Sequence, residues 1–293
     1  MPNALRIDPT RTIMLRRAFV ADMNRRFQKL IKSIKQIVVI DDVFGLKENS
    51  PLKLNLEKQA WKFNTDAQKV EAFQAWLKQA EDASILTTPK AGDRWTDEYI
   101  YSAYRKGHMR AYADLHKEAL AEKPDYYFGT RDQFLESAFN APEIKSKLQL
   151  LYTRTFTELK GITAAIDQQL SRQLAEGLAN GWGVEKIARE IDKSISTINR
   201  TRARVLARTE IIRAHSEGQL DAFEKLGVEE VGLMAEWSTA GDDRVCDLCG
   251  PKEGETMTVE EARGQIPFHP NCRCTWIPSV KRVKRTRKQG VFF

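Results

Sequence analysis

Five side chains able to bind a soft metal crowd the C-terminal end of this sequence: Cys246, Cys249, His269, Cys272 and Cys274, spaced C-x2-C-x19-H-x2-C-x-C. They include all four cysteines of the 293-residue chain, within 29 positions. A C-x2-C turn aims two thiolates at one centre, and a second pair arriving from a distant loop completes a tetrahedron, so the pattern predicts a zinc site. Cys246 and Cys249 form the firmer pair, because Gly250 follows them and lets the chain turn back. The remaining ligands are two of His269, Cys272 and Cys274, and spacing alone does not choose among them. A full set of cysteine and histidine donors leaves no position for water, which favours a structural ion, Zn2+, over a catalytic one. The competing readings are two disulfides or reduced structural thiols. Met1 to Arg17 has arginines but no apolar core of about 7–15 residues, so a reducing, intracellular compartment is expected, in which disulfides are rare.

The elements that must position these donors are mostly helical. Arg11 to Lys35 places Ile13, Phe19, Met23, Phe27, Leu30 and Ile34 at helical spacing among six basic residues, an amphipathic surface helix. Gln36 to Phe44 reads as a strand or a buried segment. Thr65 with Gln68 three positions on marks a helix start before Val70, Phe73 and Leu77, and Thr96, Asp97 and Glu98 open the next helix. The tyrosines of that helix, among them Tyr104 and Tyr112, read as core and rim residues, and His108 and His116 as surface histidines. Leu159, Ile162, Ile166, Leu170, Leu174 and Leu178 make one apolar stripe that ends at Asn180-Gly181, where a tight turn leads into an antiparallel helix through Val184, Ile187 and Ile191. A separate, longer helix is expected from Ile198 to Leu226, with Glu210 and His215 on its polar side. Alternation in Leu233, Ala235 and Trp237 then predicts a strand entering the cysteine turn. The expected architecture is mainly α: a helical N-terminal and central region followed by a small zinc-stabilised α+β module.

The sum of these residues carries a resemblance. Ala207-Arg208-Thr209-Glu210, Arg213-Ala214 and Gly218-Gln219 on one helix, Glu236-Trp237, Asp242 to Cys246, Gly254 and His269-Pro270-Asn271-Cys272-Arg273-Cys274 together closely resemble the phage Mu F-like head morphogenesis family, over about residues 155 to 280. These are minor head proteins of tailed phages and prophages. The resemblance implies a protein built into the procapsid, in contact with the portal protein and the major capsid or scaffolding protein, with a role in head assembly, DNA packaging or DNA delivery. It implies the virion head as destination and the host cytoplasm during assembly; it does not imply a settled enzymatic activity, and the chain is expected not to be an enzyme. Domains are expected at 1–150 (helical, facing the portal or capsid), 151–280 (head morphogenesis with a zinc knuckle) and 281–293 (basic tail). Asp243, Arg244 and Arg273 are read as orienting the ligand loops, and Arg208, Thr209 and Glu210 as a polar bridge between helix and zinc unit.

Composition fits that class. With 42% hydrophobic and 30% charged residues and a mean hydropathy of −0.50, the chain reads as soluble, and no stretch approaches the ~20 apolar residues of a membrane span. The net charge is +7, most of it in Lys281, Arg282, Lys284, Arg285, Arg287 and Lys288, a tail suited to DNA or another acidic partner. The alternatives are a zinc-containing DNA-binding protein or a zinc-supported nuclease. A nuclease needs a histidine free to activate water, and the module offers only His215 and His269.

Overall fold

The computed structural model describes residues 8–46, 65–86, 94–122, 129–227 and 233–280. The basic tail lies outside them, as does most of the polar connection around Pro51. The helices are α1 (Ile13–Lys35), α2 (Asp66–Glu81), α3 (Asp97–Glu122), α4 (Arg131–Asn140), α5 (Pro142–Ala179) and α6 (Val184–Lys225). A small C-terminal part follows: β1 (Leu233–Ser238), β2 (Thr256–Met257), a short helix α7 (Val259–Ala262) and β3 (Thr275–Val280). The mainly helical class with a small terminal sheet is as the sequence predicts.

The chain condenses into two compact units, each assembled from separate stretches: residues 1–13, 102–146 and 211–293 in one, and 14–101 with 147–210 in the other. In the second unit α1 buries Phe19, Met23, Phe27, Leu30 and Ile34, and α5 buries Leu159, Ile162, Ile166, Leu170 and Leu174, the two apolar stripes read from the sequence. Thr65 caps α2 by accepting from the backbone N–H of Gln68. Two expectations are corrected here. Gln36–Ile40 is a π-helical turn continuing α1, with Val38 buried; its β-branched run packs as an extra helical turn rather than as a strand. The two helices expected after Gly183 are one uninterrupted 42-residue helix, α6, because nothing between Ile191 and Ile198 breaks the helical hydrogen bonds. The turn before it is as predicted. Gly181 at φ 63° sits past the end of α5, where the N–H of Trp182 reaches Gly177 O at 2.8 Å and that of Gly181 reaches Leu178 O at 3.1 Å, closing the helix with a left-handed cap.

The first unit holds the sheet, ordered β2-β1-β3 and antiparallel throughout. Cross-strand pairing sets Trp237 opposite Trp276 and Ala235 opposite both Pro278 and Met257, so one face carries the buried residues. The two indoles meet edge to face at 5.3 Å. Pro278 donates no hydrogen bond and sits in β3, which pairs on one side only among the described residues. The sheet is held to α6 by Gln219: its amide nitrogen Nε2 donates to Trp276 O at 2.8 Å, while Oε1 accepts from Thr275 Oγ1 at 2.8 Å and from the Trp276 N–H at 3.3 Å. Trp276 Nε1 donates to Ser216 Oγ at 2.9 Å. Helices α3 and α6 cross closely at two glycines: a Cβ on Gly107 would lie 2.2 Å from His215 O, and one on Gly218 2.3 Å from Tyr104 O. That crossing buries His108 completely, against the surface position expected for it, among Tyr104, Phe134 and Phe139.

Candidate metal centre

Two turns bring the five donors together. In the first, the N–H groups of Cys249 and Gly250 bond back to Cys246 O at 3.0 and 2.9 Å, folding Cys246-Asp247-Leu248-Cys249 into a tight loop. In the second, His269-Pro270-Asn271-Cys272 closes with Cys272 N–H to His269 O at 3.1 Å, and Asn271 lies at φ 66°. Proline fixes the second position of this turn and asparagine tolerates the left-handed third, so the H-P-N-C order encodes its own geometry. Cys274 then enters β3.

Ring nitrogen Nε2 of His269 stands 3.1 Å from the sulfurs of both Cys246 and Cys249, and the Cys249 and Cys272 sulfurs are 4.0 Å apart. Donors bound tetrahedrally to one zinc ion at its usual bond lengths stand roughly 3.3–3.8 Å from each other, close to these spacings. Cys246, Cys249 and His269 form one compact trio and Cys249, Cys272 and Cys274 another, so Cys249 belongs to both. His269 Nδ1 lies 2.8 Å from Pro270 O, which accepts only. Nδ1 therefore carries the proton, and Nε2 presents its lone pair to the sulfurs, the tautomer a metal requires.

Charge in the cluster points the same way. Burial opposes ionisation of Cys246, but N–H groups of Cys249 and Leu248 directed at its sulfur hold it below the ordinary thiol value. Cys272 is brought down to about 5, first by the Cys274 thiol that hydrogen-bonds to it and further by backbone N–H donors. Cys274, the other member of that hydrogen bond, is pushed up by it and by burial, and burial with the charge on Cys272 pushes Cys249 up to about 12. The protein alone thus eases ionisation of Cys246 and Cys272 and opposes that of Cys249 and Cys274. A divalent cation removes that conflict, and the donor set fits one. The cysteine–histidine cluster could hold a metal ion.

Arg273 clamps Asp242 with two hydrogen bonds of 2.7 and 2.6 Å, and Arg244 adds a third at 2.9 Å. The arginines, Arg273 foremost, hold the Asp242 carboxylate well below the usual range. Asp243, the carboxylate singled out in the sequence, is exposed; Asp242 is the shared partner, and only the fold reveals which of two adjacent aspartates points inward. Arg208, Thr209 and Glu210 lie in the other unit from the cluster. Glu210, expected on a polar surface, is 3% exposed and accepts from Arg154 Nε at 3.2 Å. His215 is also buried, at 1%.

Sequence reasoning missed Arg263. It pairs with Asp221 at 2.8 Å and with Glu224, lies 3.6 Å from Glu217, and Tyr104 donates to the same buried Asp221, so one partly buried network ties α3, α6 and the end of α7. Arg263 and Tyr104 lie 42 and 117 positions from Asp221, beyond any local pattern.

Compared with known proteins, the chain matches the family model of phage Mu protein F-like proteins over residues 168–277. No curated protein and no solved structure matches it. The matched span contains all five donors, Gln219 and Arg263, and proteins of that family are phage head morphogenesis or minor capsid proteins. Residues 168–277, with the candidate metal centre at their end, are a phage Mu protein F-like domain.

Proposed function

We propose that this chain is a minor head protein of a tailed phage or prophage, assembled into the procapsid through contacts with the portal protein and the major capsid or scaffolding protein, and serving DNA packaging or delivery. The observation that carries this reading is the family match over residues 168–277. In this reading residues 1–150 face the portal or capsid, and DNA engages the basic tail.

The ion is a structural Zn2+ held by Cys249 with three of Cys246, His269, Cys272 and Cys274. It neutralises thiolates packed into the same core as Trp237 and Trp276, contributing on the order of 10 kcal/mol to the folding of a module too small to stabilise itself by burial. The module's histidines support a structural over a hydrolytic role. His215 is buried, and both ring nitrogens of His269 are committed, one to Pro270 and one to the sulfurs.

The test is affinity purification of the tagged chain from cells producing the phage or prophage, with the bound proteins identified by mass spectrometry. Recovery of portal and major capsid protein is expected. Recovery of nucleic acid without any structural protein would overturn the proposal.

A further inference from the structure

Helices α1 and α6 run antiparallel within one unit, tied by Asn199 Nδ2 to Asn24 Oδ1 at 2.7 Å and by Lys35 Nζ to Asp192 at 2.6 Å. These contacts fix which side of each helix meets the other. Stepping about 100° per residue from them places Arg25 and Lys32 on one flank of α1, Arg17 at the edge of that flank nearest α6, and Lys193, Arg200 and Arg204 around the matching flank of α6. All six are exposed, and the two flanks open on the same side of the pair. Among the described residues, acidic groups beside them are few: Asp22 pairs with Arg25 at 2.7 Å, Glu190 stands 4.0 Å from Lys193, and Asp192 is taken by Lys35. From Lys193 to Arg208, α6 contains no acidic residue at all.

We infer that this α1–α6 face binds the phosphate backbone of duplex nucleic acid, independently of the basic tail. Along α1 the cations span about 22 Å and along α6 about 17 Å, a length equal to six or so base pairs. Four of the six are arginines, whose planar fork pairs with phosphate oxygens. The surface between them shows Ala21 and Gln28, exposed and without the large apolar side chain that anchors the centre of a protein interface; Met14, the large exposed apolar side chain on that flank, stands at its end. A polyanion of regular charge spacing fits such a face; an acidic protein surface lacks an anchor point there. The inference goes beyond the head-protein reading and holds whether or not the chain enters a capsid.

The experiment is fluorescence anisotropy of a 20-base-pair duplex (about three times the span of the face) with the full chain at several NaCl concentrations. Four proteins are compared: the natural chain, one with the six basic residues of the tail changed to Gln, one with R17Q, R200Q and R204Q, and one combining both sets. With the tail neutralised, salt-sensitive binding should persist with a log–log slope of about −5, and the combined variant should lose about 2.7 of that slope. A triple Arg→Lys variant should restore the slope, and unchanged circular dichroism would show that the fold is intact, as exposure of all three positions predicts. Loss of all duplex binding on tail neutralisation, or an unchanged slope in the combined variant, would overturn the inference. So would equal competition by polyglutamate, which would assign the face to acidic chains in general.

Discussion

Cys249 is the residue on which the candidate metal centre turns, since its sulfur belongs to both trios of donors. Cys249→Ser should therefore lower bound metal more than Cys246→Ser or Cys274→Ser, with metal content by mass spectrometry as the readout. Equal loss in all three would mean that Cys249 is no more central to the ion than Cys246 or Cys274. Asn271 carries a backbone requirement instead of a ligand. At φ 66° a β-branched side chain is strained by roughly 1–2 kcal/mol, so Asn271→Val should lower the thermal midpoint clearly and Asn271→Gly much less. In the other unit, Glu81 and Asp167 form a carboxyl pair in which Glu81 Oε1 and Asp167 Oδ1 have no hydrogen-bond partner. Burial, then the Asp167 charge, lifts Glu81 from an ordinary 4.5 to about 9, with Asp82 contributing. Asp167 is itself raised, by burial first, while Lys78 pulls it down. Because the folded value is the higher one, this group's contribution to stability is complete below about pH 4.5 and is lost as pH rises towards 9. Thermal midpoints should fall over that window in the natural chain, and the fall should flatten in Glu81→Gln. A parallel decline in both proteins would remove Glu81 as its cause.

Between elements, the crossing of α3 and α6 is the tightest contact described. Alanine at position 218 gains helix propensity of about 1 kcal/mol over glycine, yet its Cβ would meet backbone that a side-chain rotation cannot move. We expect Gly218→Ala to destabilise by about 1–3 kcal/mol in denaturant titration. Stabilisation would mean that the helices separate freely. This contact also marks where local pattern stops being informative. The caps at Thr65 and Gly181, the alternation into β1 and the five donors are all written in short-range spacing, and each was readable. Gly107 against the backbone of His215, Asp242 against Arg273 and Arg263 against Asp221 join positions distant in the chain, and neither helical nor strand periodicity encodes which partner is met. The continuity of α6 was missed for the opposite reason: its polar stretch from Asp192 to Thr197 weakens the apolar stripe without offering a helix breaker.

For the whole molecule, the two units differ in what holds them. One has cysteine sulfurs inside its core beside Leu115, Phe134 and Leu220; the other, among its described residues, has an all-helical core and no cysteine. Chelation should therefore lower the melting of the first while leaving much helical signal intact, giving two transitions by calorimetry where the metal-loaded protein shows closer ones. A single transition moving as one would count against separable units. The span recognisable by family covers the helix pair from 168 to 210 and the module from 211 to 277, but the cysteine core also contains Ala111, Leu115, Phe134 and Leu135, supplied by α3 and α4 from well before that span. An excised fragment of residues 168–277 would leave those apolar contacts bare to water and should be insoluble when expressed by itself. The stretch of sequence that inheritance has kept legible is thus smaller than the stretch that must be made for it to fold.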